Sequence, residues 1–334
     1  MRRIARLNRH RYSALAALLA GALTGAALAE QSAFSIGAKP ARFAPHLGAG
    51  SDIGKVRLHG MLELPAIKIG GQRLVDLSDL AWDRDEQILY AVSNRGSLFW
   101  LKPHFVNGEL VDVKVAAAFS LYELDNKLRL KDRRADAEGL DIVNGANGRR
   151  GDSELLVSFE RSARIVSYRP NGSAIQEYRL PAPLADAAAY RGANKGLEAL
   201  AVEPRLGILV APEFPLKEER AGYNRIFALD GRSWPYPVSA TAGLVAMKAA
   251  TGGRVLVLER DHGGFFGRTY IALRRFNLLN GKSETLLELD SSAGLNIDNF
   301  EGLSPHRGRH YFMVSDNNNM TFQRTLLLYF EILD

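Results

Sequence analysis

A two-part unit recurs along this chain, and a recurring unit restricts the possible folds more than any single motif does. Its first half is a tripeptide ending in leucine: Ser78-Asp79-Leu80, Glu138-Gly139-Leu140, Glu198-Ala199-Leu200 and Glu301-Gly302-Leu303, with a degenerate copy at Leu244-Val245-Ala246. Its second half is a short apolar run closing on a polar or acidic residue: Asn94, Glu160, Glu213, Glu259 and Asp316. The spacing from Glu198 to Glu213, Leu244 to Glu259 and Glu301 to Asp316 is 15, and from Ser78 to Asn94 it is 16. Only Glu138 to Glu160 is longer, at 22, and that gap holds the turn-forming stretch 144–151, an insertion of the kind surface loops tolerate.

The runs between these marks are short, rich in Val, Ile, Leu, Tyr and Phe, and separated by Gly, Pro, Asn and Asp; runs of this kind read as strands. Helical periodicity is largely missing, and the Ala-rich 184–190 reads as one short helical turn in a loop. Units begin about 45 to 60 residues apart, the period of a four-stranded propeller blade. The expected fold is therefore an all-β propeller of five or six four-stranded blades. Five are read directly, and a sixth would come from weaker strands. Pairing of the strand near 55–64 with that at 325–332 would close it and remove the open edge. A β-sandwich or a β-helix is the alternative, and a β-helix would show a period of 20 to 30 residues.

At the N-terminus, five arginines (Arg2, Arg3, Arg6, Arg9, Arg11) precede an uncharged stretch ending in Ala27-Leu28-Ala29. This is the pattern of a cleavable signal peptide over residues 1–29. A lead-in over 30–53 and a propeller domain over 54–334 would follow, in a periplasmic or secreted protein with no stable membrane insertion after cleavage. The leader arginines account for all but one unit of the formal net charge of +6. A nucleic-acid partner therefore loses its support, since that reading needs a basic footprint on the folded domain. There is no cysteine, which excludes disulfides, thiolate nucleophiles and Cys-ligated metals. The oligomeric state is left open.

In a propeller, residues at the same repeat position converge around the central channel. Carboxylates gathered in such a ring repel one another unless a cation neutralises them. All the ligands are oxygens, which suits Ca²⁺, so Glu138, Glu160, Glu198, Glu213, Glu259, Glu301 and Asp316 are the candidate metal ligands. Arg95, Arg161 and Arg260, each directly after a repeat mark, would hold an anionic substrate or would instead form inter-blade ion pairs that set blade register. Glu138, Glu198 and His262 are the candidate catalytic groups, although His262 reads more readily as an ordinary loop histidine. No Gly-x-Ser-x-Gly, His-Glu-x-x-His, P-loop or dinucleotide fingerprint is present.

The segments 77–83 with 90–95, 136–140 with 158–161, 194–200, 258–261, and 299–303 with 314–317 resemble the phytase-like family, described as having esterase-like activity of phytase. The resemblance runs from about Val75 to the C-terminus. It implies an exported bacterial propeller hydrolase acting on a small ester or anionic phosphoester substrate. In that reading Ca²⁺ at the acidic ring would polarise the substrate oxygen. The alternative is a non-catalytic periplasmic propeller, its acidic and arginine ring serving only the scaffold.

Overall fold

The computed structural model describes residues 33–239, 241–262, 267–320 and 322–333; of His262 only the backbone is described. The expected leader and the start of the lead-in lie outside the described residues. Five antiparallel sheets follow one another around a ring. From the channel outward, blade 1 comprises Leu77–Asp83, Ile88–Ser93, Ser97–Val106 and Glu109–Ser120. Blade 2 comprises Ala137–Val143, Glu154–Phe159, Arg164–Tyr168 and Ala174–Tyr178, and blade 3 Leu197–Glu203, Gly207–Pro212, Tyr223–Ala228 and Ser233–Pro237. Blade 4 comprises Gly243–Ala250, Arg254–His262, Thr269–Asn277 and Ser283–Asp290. Blade 5 is built from both ends of the domain: Asn299–Pro305, His310–Asp316 and Thr325–Ile332 are followed by Val56–Leu64, with Thr325 opposite Leu64 and Ile332 opposite Val56.

There is no sixth blade among the described residues. The strands at the N-terminal end join blades 1 and 5. Val56–Leu64 completes blade 5, while Phe34–Ser35 pairs with the outer strand of blade 1 and Lys39–Pro40 with Val56–Leu64. The lead-in thus covers the outer edges of blades 1 and 5, where unpaired backbone groups would otherwise invite another chain. Around 184–190 the expected helical turn is present, as a helix over Ala182–Ala185 and a 3₁₀ turn over Ala187–Ala189. No helix among the described residues is long and apolar enough to cross a membrane.

Every blade is sandwiched by two neighbours, so its middle strands are apolar on both faces. Ile88–Ser93 is buried throughout, as is Arg164–Tyr168. The core divides accordingly into five apolar clusters, one at each blade interface. Between blades 4 and 5, for example, Leu256, Leu258 and Leu273 meet Phe300, Met313 and Phe330.

The glycine of the recurring tripeptide has a packing reason. A methyl group on Gly139 would come within 2.3 Å of the Glu198 carbonyl oxygen, and one on Gly302 within 2.7 Å of the Asp79 Cα. Inner strands of adjacent blades approach so closely here that a side chain does not fit between them. In blade 1 the same position is Asp79, whose carboxylate spans the gap. It accepts hydrogen bonds from the backbone N–H of Leu140 in blade 2 and of Leu303 in blade 5.

Candidate functional site

In each blade the ladder between the two innermost strands is interrupted once. The shifts fall between Leu77 and Asp79, Ala137 and Leu140, Leu197 and Ala199, Leu244 and Ala246, and Phe300 and Gly302. A β-bulge leaves its extra residue unpaired and re-aims the side chain. The bulged positions are Ser78, Glu138, Glu198, Val245 and Glu301, the first residues of the recurring tripeptide in four of the blades.

Blade 4 corrects the sequence reading. There the bulge is at Val245, one residue beyond the Leu244 taken as the repeat mark. Counting from Val245 by the common offset of 15 reaches Arg260, whereas counting from Leu244 reached Glu259. Because side chains alternate along a strand, a slip of one residue sends the side chain to the opposite face. Glu259 is accordingly fully buried at the interface of blades 3 and 4, accepting hydrogen bonds from Tyr236 Oη at 2.7 Å, Ser239 Oγ at 3.0 Å and Arg274 Nη1 at 3.0 Å. It does not belong to the metal-ligand set. The ring at the channel mouth is instead Asn94, Glu160, Glu213, Arg260 and Asp316.

Arg260 reaches across that ring. Its guanidinium pairs with Glu213 at 2.9 Å and with Glu301, and donates to Asn299 Oδ1 at 2.8 Å. Lys195 holds the other oxygen of Glu213 at 2.6 Å. Arg161 pairs with Asp136 at 3.0 Å, and Arg95 with Asp76. Arg95 and Arg161 remain 46% and 42% exposed, free to meet a solute, whereas Arg260, at 16%, is committed to the ring.

Glu138, Glu160 and Glu198 form no ion pair among the described residues, and all three are buried or nearly so. Two overlapping sets of carboxylate oxygens lie within 4.8 Å of one another: Asp136, Glu138 and Glu160, and Glu160, Glu198 and Glu213. Oxygens no farther apart than this can share one cation at calcium–oxygen bonds of roughly 2.4 Å, so an oxygen-coordinated cation fits within either set. Burial first, then the neighbouring Asp136, Glu160 and Asp316, push the Glu138 carboxyl well above its usual range. Burial, with Glu138, Glu213 and Glu160 beside it, does the same to Glu198. Glu160 is pushed up to about 8 by burial and the charges of Asp136 and Glu213, against a smaller opposing effect of Lys195. Asp316, buried and facing Asp76, rises to about 7 despite the Asn318 N–H that donates to it.

Below this mouth lies a second polar layer that the sequence reading missed. Lys248, on the inner strand of blade 4 and 1% exposed, donates to Asp79 Oδ2 at 2.7 Å and to the Leu140 carbonyl. Asp141 of blade 2 accepts from the Val202 N–H of blade 3 at 2.7 Å. The signal was present in Ser78-Asp79-Leu80, where an acid replaces the small middle residue. Asp76, Asp136 and Lys195 were also missed as members of the mouth. Their proximity in sequence to Ser78, Glu138 and Glu198 was the available clue. The side chain of His262 lies outside the described residues; its backbone ends the second strand of blade 4, opposite Thr269.

Residues 72–319 match the family model for the phytase-like domain, described as esterase-like activity of phytase. The chain belongs to the phytase-like family. A comparison with curated proteins finds no match. Among solved structures, the chain is similar to the PQQ-bound aldose sugar dehydrogenase of Streptomyces coelicolor (11% identity, 85% of this chain and 99% of that one, TM-score 0.43). The β-propeller domain of Myceliophteria thermophila Cps50 (Swd1) is also similar, at 10% identity over 90% of this chain and 99% of that one, with a TM-score of 0.37. The Dos1 propeller matches at 8% identity over 84% of this chain and 78% of that one, with a TM-score of 0.36.

Proposed function

We propose that this phytase-like protein is an exported hydrolase of ester or phosphoester bonds that works at the mouth of its central channel with the help of Ca²⁺. The observation carrying this reading is the set Glu138, Glu160 and Glu198: buried carboxyls at converging positions, without ion-pair partners among the described residues and all shifted upward. Leaving such groups uncompensated disfavours the folded state, which is the usual mark of a site that something else completes. The donor set is entirely oxygen, with Glu138, Glu160 and Glu198 as its free members and Asp136 and Glu213 as members shared with cationic side chains. A calcium ion bound there would supply polarisation of a phosphoryl or carbonyl oxygen and a lowered pKa for bound water.

The chain's own groups account for the rest. Arg95 and Arg161, on the rim, present guanidinium edges to an anionic substrate and orient it over the carboxylates. Without a metal, Glu160, at about 8, holds a proton at neutral pH, which it would release on binding Ca²⁺. The bulged strands hold Glu138 and Glu198 on rigid sheet.

One observation favours the second reading, a non-catalytic propeller with a structural ring. Arg260 and Lys195 already neutralise Glu213 and Glu301. The deciding experiment is hydrolysis of p-nitrophenyl phosphate and p-nitrophenyl acetate with Ca²⁺ and then with EDTA, alongside thermal melting. Calcium-dependent turnover lost in Glu138→Gln and Glu198→Gln supports the hydrolase. Absence of both turnover and a calcium-induced rise in melting temperature leaves the scaffold.

A further inference from the structure

At the end of blade 5 remote from the channel mouth, three side chains from three adjacent strands converge. His310 opens the strand His310–Asp316, and Glu331 lies directly opposite it on Thr325–Ile332. His59 comes from Val56–Leu64, which flanks Thr325–Ile332 on the other side. A nitrogen of each histidine and an oxygen of Glu331 lie within 4.8 Å of one another, and all three residues are half-buried. The strand from His310 to Asp316 spans about 20 Å at ~3.3 Å per residue, so this cluster is separate from the carboxylate mouth.

We propose that His59, His310 and Glu331 form a binding site for a divalent transition metal of the zinc class, with a fourth position open to solvent. Two imidazoles and one carboxylate make a donor set that zinc accepts and that calcium, which prefers oxygen, does not. His59 Nε2 and Glu331 Oε2 stand 3.4 Å apart, long for a hydrogen bond between them. It is the edge of a tetrahedron built on bonds of about 2.1 Å, the usual zinc–nitrogen and zinc–oxygen length. The second oxygen of Glu331 accepts from Arg309 Nη2 at 3.1 Å, which orients the carboxylate and leaves Oε2 directed at His59. Buried Tyr329 packs against both imidazoles, with ring centroids 5.4 Å from His310 and 6.1 Å from His59, and fixes their planes. The cost of the site is the positive charge of Arg309 and Arg57 near Glu331, which favours a ligand set that includes a carboxylate over one of imidazoles alone.

The inference does not rest on the hydrolase reading, and its test has no activity readout. Tag-free protein is titrated with Co²⁺, followed by the visible bands of low-coordinate cobalt, and the cobalt is then displaced with Zn²⁺. One cobalt per chain with that spectrum is expected. His59→Gln and His310→Gln should each weaken binding at least tenfold, while Glu138→Gln at the channel mouth leaves the spectrum intact. Two separate histidine variants keep the test decisive if one of them does not fold. Absence of the spectrum, or its persistence unchanged in a folded histidine variant, overturns the proposal.

Discussion

Lys248 Nζ lies 2.7 Å from Asp79 Oδ2 in the middle of the propeller, and between them these two residues join four of the five blades. Lys248 comes from blade 4 and Asp79 from blade 1, while the Asp79 carboxylate also receives N–H groups of blades 2 and 5. Burial nonetheless raises the Asp79 carboxyl to about 6, outweighing the attraction of Lys248 and the hydrogen bonds. A buried pair of this kind adds little over an apolar pair but is costly to break from one side. Lys248→Met is expected to lower stability by about 3 kcal/mol in urea unfolding. The double variant with Asp79→Asn should lose less than the sum of the two single changes, because it leaves no lone buried charge.

Glu160 gives the channel mouth a pH dependence with a definite sign. Its carboxyl titrates near 8 in the folded chain against the ordinary 4.5, so between those values the folded state holds a proton that the unfolded state has released. Folding stability attributable to Glu160 therefore falls as pH rises through that window. In calcium-free buffer, Glu160→Gln should match the parent near pH 4 and exceed it by on the order of a few kcal/mol near pH 8. Thermal melts across this range check it; a difference that shrinks with rising pH contradicts it.

Arg260 and Glu259 are neighbours in sequence with opposite expected behaviour. Arg260 occupies the ring beside the carboxylates and competes with any cation for Glu213 and Glu301. Glu259 faces Tyr236 and Arg274 between blades. Arg260→Gln should enlarge the calcium-induced rise in melting temperature. Glu259→Gln should lower the melting temperature with and without calcium equally, since it removes a buried partner of Arg274 and touches no candidate ligand.

Gly139→Ala forces a methyl group against the Glu198 carbonyl of the next blade. A loss of at least about 2 kcal/mol is expected, since backbone rather than a mobile side chain must move. Far-ultraviolet circular dichroism with chemical denaturation measures it.

The sequence by itself determined the architecture of this protein and most of the members of its acidic mouth. Glu138, Glu198 and Glu301 were legible because the bulge keeps the same local pattern, a polar residue followed by a small one and a leucine, in three blades, and in blade 1 only the middle residue departs from it. The closing pair 56–64 and 325–332 was legible because a propeller must hide its edge. Tertiary structure alone decided the rest. In blade 4 the apolar Val245 hides the repeat mark, so the one-residue register that separates Arg260 from Glu259 depends on where the ladder breaks, which no local residue announces. The blade number depended on whether strands near the N-terminus pair with one another or with blades 1 and 5. The Lys248–Asp79 pair, 169 residues apart in sequence, and the His59–His310–Glu331 cluster exist only through ring closure, which brings together strands from opposite ends of the chain.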